Sequence, residues 1–285
     1  MAQVTPEVFD VIVIGCGPAG GAAAVTAARA GLKAALIDKA RFPRQKLCGG
    51  LFTVRAKSYY QEIFGENPAT EILVEKTSVC FWQAEADLGT LTDVPPLYLT
   101  MRWDLDHGFY RHAIAAGVAD FTGSRIASID LAQKEVVLAS GQRLRFRVLI
   151  GADGVNSAVA RQIFGSAFDH ARLGFGLKIE APASLPDAPV RIDFGAAQWG
   201  YGWAFLKAQS TTIGVVGLLA ANTDMKAVMG EYLEKLGQPC PKAPTKAISS
   251  PSGISVNSLA KGLCYSWAMP LALSIRLPER ESLSP

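Results

Sequence analysis

Histidine is scarce in this chain. Only His107, His112 and His170 occur among 285 residues, so a metal centre or a Ser-His-Asp triad has little material to be built from. The five cysteines (Cys16, Cys48, Cys80, Cys240 and Cys264) stand far apart, with no C-x-x-C pair. That argues against a disulfide framework or a zinc site and for a reducing, cytoplasmic compartment. A net charge of +3, with no basic run interleaved with aromatics, argues against a nucleic-acid partner. No basic leader opens the chain, and its first apolar run is broken by Gly15, Gly17, Pro18 and Gly20. The run therefore reads as a buried strand and helix, neither a signal peptide nor a membrane span. Internal repeats and low-complexity segments are not evident.

What is present begins with a core. Hydrophobic residues make up 49% of the chain, enough to bury one large domain or two modest ones. The stretch from Phe9 to Asp38 organises the rest. Phe9 to Ile14 is short, apolar and β-branched, as a buried parallel strand requires. Gly15, Gly17 and Gly20 follow in G-x-G-x-x-G spacing, with Pro18 and Ala19 between them. This pattern permits a tight turn, close approach of backbone to a pyrophosphate, and close helix–strand packing. The Ala- and Gly-rich helix that follows can aim its positive end at phosphate. Asp38 closes a second strand, where an acid accepts hydrogen bonds from a ribose. The stretch points to a dinucleotide without saying which.

Beyond Asp38, Lys39 to Leu51 is basic and then glycine-rich, and Gly49-Gly50 suggests backbone packed closely against something. Short strands are expected between Leu73 and Leu99. Asp104 to Gly117 reads as a helix with Leu105, Phe109, Ala113 and Ile114 on one face, and His107 and His112 at its surface. Strands follow around Arg125–Asp130, Lys134–Leu138 and Leu144–Ile150. The last runs into Gly151-Ala152-Asp153-Gly154. This segment fits either a loop brought close to a polar ligand or a turn whose Asp153 caps the next helix. From Phe175 to Leu219 the pattern is antiparallel β. Within it Trp199, Tyr201, Trp203 and Phe205 alternate with small residues, which places the aromatics on one strand face. Taken alone, that face suits a sheet core better than the wall of an apolar cavity. A helix over Asn222–Leu236, capped by Asn222 or Thr223, is expected to stop at Gly237 and Pro239.

Together these stretches resemble FAD-dependent oxidoreductases of the p-hydroxybenzoate hydroxylase fold. The resemblance rests on the Gly15–Gly20 loop, on Arg102-x-x-Leu105-Asp106 at a helix start, and on Gly151-Ala152-Asp153-Gly154. Lys46-Leu47-Cys48-Gly49-Gly50 and Tyr201-Gly202-Trp203-Ala204-Phe205 narrow it to the geranylgeranyl reductase family. There the second stretch reads Y-x-W-x-F-P, and Leu206 departs from that proline. The implied fold is mixed α/β: a Rossmann-like FAD-binding domain (1–72 and 98–170) with an inserted antiparallel β-sheet substrate domain (73–97 and 171–254). FAD would rest its pyrophosphate on Gly15–Gly20 and its ribose on Asp38 and Lys39. Arg102, Gly151, Asp153 and Gly154 would lie near the flavin, with the Cys48-Gly49-Gly50 loop on the side of the ring away from the aromatic strand. The resemblance turns Tyr201, Trp203 and Phe205 into a substrate wall. The implied chemistry is reduction of an isolated alkene in a prenyl chain, with NADPH or ferredoxin as electron donor. Cys48 would be either its proton donor or a small packed cysteine. So apolar a substrate also implies contact with a membrane surface. Aromatic hydroxylation or halogenation on the same fold, and a non-catalytic remnant, are the alternatives.

The tail departs from this pattern. The family implies a third flavin motif, G-D-A-A-G-x-x-x-P-x-x-G-E-G-I, soon after residue 260, where the chain has Leu263-Cys264-Tyr265-Ser266-Trp267 and onward. Reading the third base of each codon with the first two of the next, every junction from Ser266/Trp267 to Glu281/Ser282 permits V-G-D-A-A-G-F-V-D-P-L-T-G-E-G-I. Trp267/Ala268 is forced to glycine and Met269/Pro270 to alanine. The expectation is a slipped reading frame near Gly262, which sequencing of the encoding DNA decides.

Overall fold

The structure is a computed structural model that describes residues 6–65, 73–183 and 188–238. The tail beyond Gly262, Cys240 and the expected stop at Pro239 lie outside them. The chain opens with β1 (Glu7–Ile14), α1 (Pro18–Arg29) and β2 (Ala34–Asp38). A short β3 (Leu51–Thr53) and α2 (Val54–Phe64) follow, then β4 (Val74–Lys76), β5 (Val79–Gln83), β6 (Ala86–Leu91) and β7 (Leu97–Leu99). Next come α3 (Arg102–Ala115), β8 (Ala119–Thr122), β9 (Ile126–Asp130), β10 (Glu135–Leu138), β11 (Arg143–Gly151) and α4 (Ala158–Phe164). The described chain closes with β12 (Gly174–Pro182), β13 (Val190–Phe194), β14 (Tyr201–Leu206), β15 (Ser210–Leu218) and α5 (Met225–Lys235).

One six-stranded sheet runs β8-β2-β1-β11-β10-β9. Its first four strands are parallel and its last two antiparallel. Val11 and Val13 of β1 pack on one side with α1, α2 and α3, through Val25, Tyr60, Phe64 and Phe109. Ile12 and Ile14 face a second cluster with Val136, Leu144 and Val159. A strand buried on both faces has no use for a polar alternate, which is why β1 is a continuous apolar run. The chain leaves β1 through α1 towards β2 and returns to β1's other side at β11. The carboxyl ends of β1 and β11 therefore flank a topological switch point, where open α/β sheets leave a crevice for ligand.

The second six-stranded sheet runs β12-β15-β14-β13-β5-β6, antiparallel except between β13 and β5. On one face α5 packs Met225, Met229, Tyr232 and Leu233 against Leu177, Ile213 and Val215. The opposite face carries Trp203, Phe205 and Val216, packed with Val79, Leu99 and Val190. A small sheet, β3-β7-β4, lies alongside. The architecture is the mixed α/β p-hydroxybenzoate hydroxylase-like fold.

Three local expectations are corrected. Trp199 does not continue the aromatic stripe: it precedes β14 in a turn with φ +52° and is 83% exposed. α5 starts three residues later than expected, because Asp224 is its cap, accepting from the Lys226 and Ala227 amides. Asn222 is buried and instead ties the Gln198 backbone to the Leu218 carbonyl. His112 is not a free surface residue: it meets the Tyr60 hydroxyl at 3.0 Å and lies against the Phe64 ring.

Candidate functional site

At the switch point the glycines do what their spacing demands. Gly15 has φ +98°, and a Cβ there would lie 2.4 Å from the Ala152 carbonyl oxygen. A Cβ on Gly20 would lie 1.7 Å from the Gly15 carbonyl oxygen. The Ala152 amide donates to the Ile14 carbonyl at 2.7 Å. The Gly15–Gly20 loop and the Gly151–Gly154 loop are therefore one packed unit, although far apart in the chain. α1 begins with Pro18 behind an extended Gly17, with no side-chain cap and no acid in its first turn. Its first N–H groups thus face outward as anion donors.

Asp38 Oδ2 accepts from the Cys16 amide and Oδ1 from the Ala40 amide, both at 2.8 Å. These bonds hold the carboxylate beside the loop, and each oxygen keeps a lone pair for a sugar hydroxyl. Lys39, next to it, is exposed. Ser157 caps α4, its hydroxyl accepting from the Ala160 amide at 2.9 Å, and the Asp153 carboxylate braces that cap, accepting from the Ser157 hydroxyl at 2.5 Å and the Ala158 amide at 2.6 Å. What this loop presents to Gly15 is backbone, the Ala152 carbonyl and the Asp153 Cα, and Gly154 follows at φ +77°.

A second group of residues gathers where α3 begins. Arg102 is buried and forks onto Asp106 through Nε at 2.6 Å and Nη2 at 2.9 Å. Arg44 Nη1 reaches the same carboxylate at 3.0 Å. Burial works against the Arg102 charge, but Asp106, followed by the Cys48 sulfur that Arg102 also hydrogen-bonds, more than offsets it and raises its pKa. Lys46 is pulled below the ordinary lysine range by burial and then by Arg102 and Arg44. Two arginines thus share one buried carboxylate, with Lys46 close enough to feel all three charges.

Cys48 links that corner to the second sheet. Its sulfur accepts from the Gly50 amide at 3.4 Å. A Cβ on Gly49 would lie 2.8 Å from the Phe205 ring and 3.1 Å from Trp203 Nε1. One on Gly50, at φ +81°, would lie 1.9 Å from the Thr100 carbonyl oxygen. The double glycine thus lets the loop lie flat between the aromatic strand and the segment leaving β7. The loop and the aromatic strand are therefore in contact.

Tyr201, Trp203 and Phe205 do share a face, with successive ring centroids 6.0 and 6.1 Å apart. Trp203 crosses Gly214 of β15, where any side chain would collide with the indole. Phe205 is fully buried and Trp203 nearly so, yet among the described residues Trp203 Nε1 has no hydrogen-bond partner. Burial, with Cys48 adding to it, pushes the Tyr201 hydroxyl up to about 12. Sequence reasoning missed Lys207, which directly follows β14. Its amine is buried and lies 3.1 Å from the position of a Gly50 Cβ. The available signal was a cation two residues beyond Phe205, in register with the aromatic face.

Residues 10–140 match the FAD dependent oxidoreductase family. Among its relatives, menaquinone reductase of Mycobacterium tuberculosis is 31% identical over 69% of this chain and 52% of its own length. Geranylgeranyl diphosphate reductase of Rhodobacter capsulatus is 28% identical over 90% of this chain and 69% of its own. A solved geranylgeranyl bacteriochlorophyll reductase-like protein of Thermoplasma acidophilum superposes with a TM-score of 0.67 at 20% identity, over 81% of this chain and 62% of that one. The chain spans about half to three fifths of the length of the first of these curated relatives. The site fits the family's FAD on its own geometry. A cradle that any Cβ would fill, uncapped helix N–H donors and an anchored ribose acid stand at one crevice.

Proposed function

We propose that the protein reduces isolated C=C bonds of a prenyl chain with reduced FAD. The Gly15–Gly20 loop, with Pro18 and Ala19, would hold the pyrophosphate, and Asp38, beside Lys39, the adenosine ribose. Gly151 and Gly154 would close on the cofactor by backbone. Arg102, with Cys48 and Gly49-Gly50, would sit on the flavin side. Bound FAD supplies the hydride; the chain's residues orient the alkene, exclude water and provide the proton.

The observation that carries this reading is the contact between the Cys48-Gly49-Gly50 loop and the stripe of Tyr201, Trp203 and Phe205. An isolated alkene offers no charged handle, so it is held by shape and dispersion against aromatic faces. Phe205 is the buried backing of that wall, and Tyr201 is its half-buried end. Menaquinone and geranylgeranyl diphosphate, the molecules in the two relatives' names, both carry a prenyl chain. The substrate would be drawn from a membrane surface. No helix among the described residues is long and apolar enough to cross a membrane.

The test is an absorbance titration of the full chain with FAD, then anaerobic reduction with NADPH or reduced ferredoxin and a geranylgeranyl substrate. A mass gain of one H2 per reduced bond supports the reading. Flavin that binds and is reduced, yet leaves the chain intact and consumes oxygen rapidly with a phenol or indole, replaces it with aromatic oxygenation. A chain that takes up no flavin replaces it with a non-catalytic remnant.

A further inference from the structure

We propose that Lys207 is the proton source of this site, and that Thr212 and Glu180 connect it to solvent. The inference rests on the prenyl-reductase reading above.

Lys207 is only 3% exposed. Its ammonium donates to Thr212 Oγ1 at 2.5 Å and approaches Met101 Sδ at 3.1 Å. Thr212 is the cross-strand partner of both Phe205 and Glu180, so all three lie in one row across the sheet. Its hydroxyl meets both Glu180 oxygens, at 2.9 and 2.8 Å. Glu180 also accepts from Lys178 at 2.5 Å and Ser210 at 3.0 Å, and its side chain is 31% exposed. A continuous line of hydrogen-bonding groups thus runs from the surface to the Cys48-Gly49-Gly50 loop. Among the described residues, a hydroxyl and a weakly accepting thioether take two of the three N–H bonds of Lys207. Nζ itself lies at the loop, 3.1 Å from the position of a Gly50 Cβ.

A buried ammonium is an expensive way to pin a loop. The charged and titratable groups facing it are Glu180 and Lys178 across the sheet and Cys48 from the loop. Burial dominates, and Glu180 and Cys48 only partly offset it, so the amine is pulled down to about 8. A donor tuned so close to neutrality is loaded at physiological pH and still able to release its proton.

In the proposed reaction, bound reduced FAD would supply a hydride with its electron pair for one new C–H bond, giving up two electrons. The alkene π pair forms the other with a proton from Lys207, whose N–H electrons stay on nitrogen as the neutral amine. The amine recovers a proton from the Thr212 hydroxyl, which takes one from Glu180, which takes one from solvent.

The test pairs a titration with kinetics. In 15N-lysine-labelled protein, with Lys207→Met assigning the signal, the Lys207 amine should titrate near pH 8, well below the ordinary lysine range. Glu180→Gln should move it lower, because the carboxylate that favours the charged form is gone. This readout needs no flavin. In the FAD-loaded chain, kcat for alkene reduction should fall as pH rises through about 8. Lys207→Arg keeps the charge but holds its proton. It should retain FAD binding and KM, lose kcat by roughly 100-fold or more, and lose that alkaline limb. Thr212→Val, of similar shape, should slow kcat without shifting KM. An amine titrating in the ordinary lysine range, or Lys207→Arg with wild-type kcat and pH profile, overturns the proposal while leaving the prenyl-reductase reading intact. Absence of alkene reduction in flavin-loaded, reduced wild type overturns both.

Discussion

The crevice at the end of the parallel sheet and the aromatic face of the second sheet work by opposite means. In the first, the atoms lining the crevice are mostly backbone, with the Asp38 carboxylate beside them, and what matters is the lack of side chains at Gly15 and Gly20. In the second they are side chains: the Trp203 indole, the Lys207 amine and, on the reverse face, the Asp193 carboxylate. Backbone donors need close approach, so substitution there fails sterically. Side-chain sites need partners, so substitution there fails by leaving a cavity or an unpaired buried group.

The largest expected effect is at the first region. Gly20→Ala forces a Cβ onto the Gly15 carbonyl oxygen, where backbone and not a flexible side chain must move. We expect a loss of about 4 kcal/mol or more by chemical denaturation, with loss of FAD binding. A variant within 1 kcal/mol of wild type would show that the loop is not rigid and would dissolve the contrast.

Next is Phe205→Ala, which empties a fully buried site behind Gly49. The expected loss is about 3–5 kcal/mol, measured the same way. Tyr201→Ala, at the half-buried end, should lose less stability and act on the KM for the prenyl substrate. Equal destabilisation by the two would make the stripe purely a core.

The reverse face gives a smaller effect with a pH signature. Asp193 is fully buried and accepts from Arg191 at 2.8 and 2.9 Å and from the Tyr232 hydroxyl at 2.8 Å. Burial alone would raise its pKa, but these bonds outweigh it and hold the carboxyl below the ordinary range. Its folded-state pKa lies below the unfolded value, so its contribution is fully present above about pH 4 and is lost as pH falls below that. Tyr232→Phe removes one of those bonds at an estimated loss of about 1.5–3 kcal/mol, and should make the acid transition shallower. An unchanged acid limb in urea titrations from pH 6 to 3 would show that other carboxylates dominate it.

The smallest effect belongs to the residue where the two regions touch. Cys48→Ala should change stability by less than about 1 kcal/mol and leave FAD binding intact. Its loss of alkene reduction should be much smaller than that of Lys207→Arg; the reverse ranking, read from kcat, would move the proton to the thiol.

Much of the first region is legible in the chain because its requirements are local. A β-branched run, glycines at fixed spacing and an acid at the end of the next strand lie within Phe9–Asp38. The second region is legible only as a pattern. Alternation sets Tyr201, Trp203 and Phe205 on one face, but it cannot say what covers that face, and it extended the stripe to Trp199, which the turn before β14 sends into solvent. The cap of α4 was likewise open in the sequence: Ser157 takes that place, and Asp153 braces it through bonds to the Ser157 hydroxyl and the Ala158 amide.

By itself, then, the sequence determined the parallel strand and the dinucleotide loop, since each depends on residues a few positions apart. Tertiary structure alone decided that the Gly151–Gly154 loop locks onto Gly15, that the Cys48 loop rests on Phe205, and that Lys207 is buried beside Gly50 with Thr212 and Glu180 behind it. The physical reason is range. Backbone conformation is set by neighbours in the chain, whereas burial and proton affinity are set by whatever the fold brings alongside.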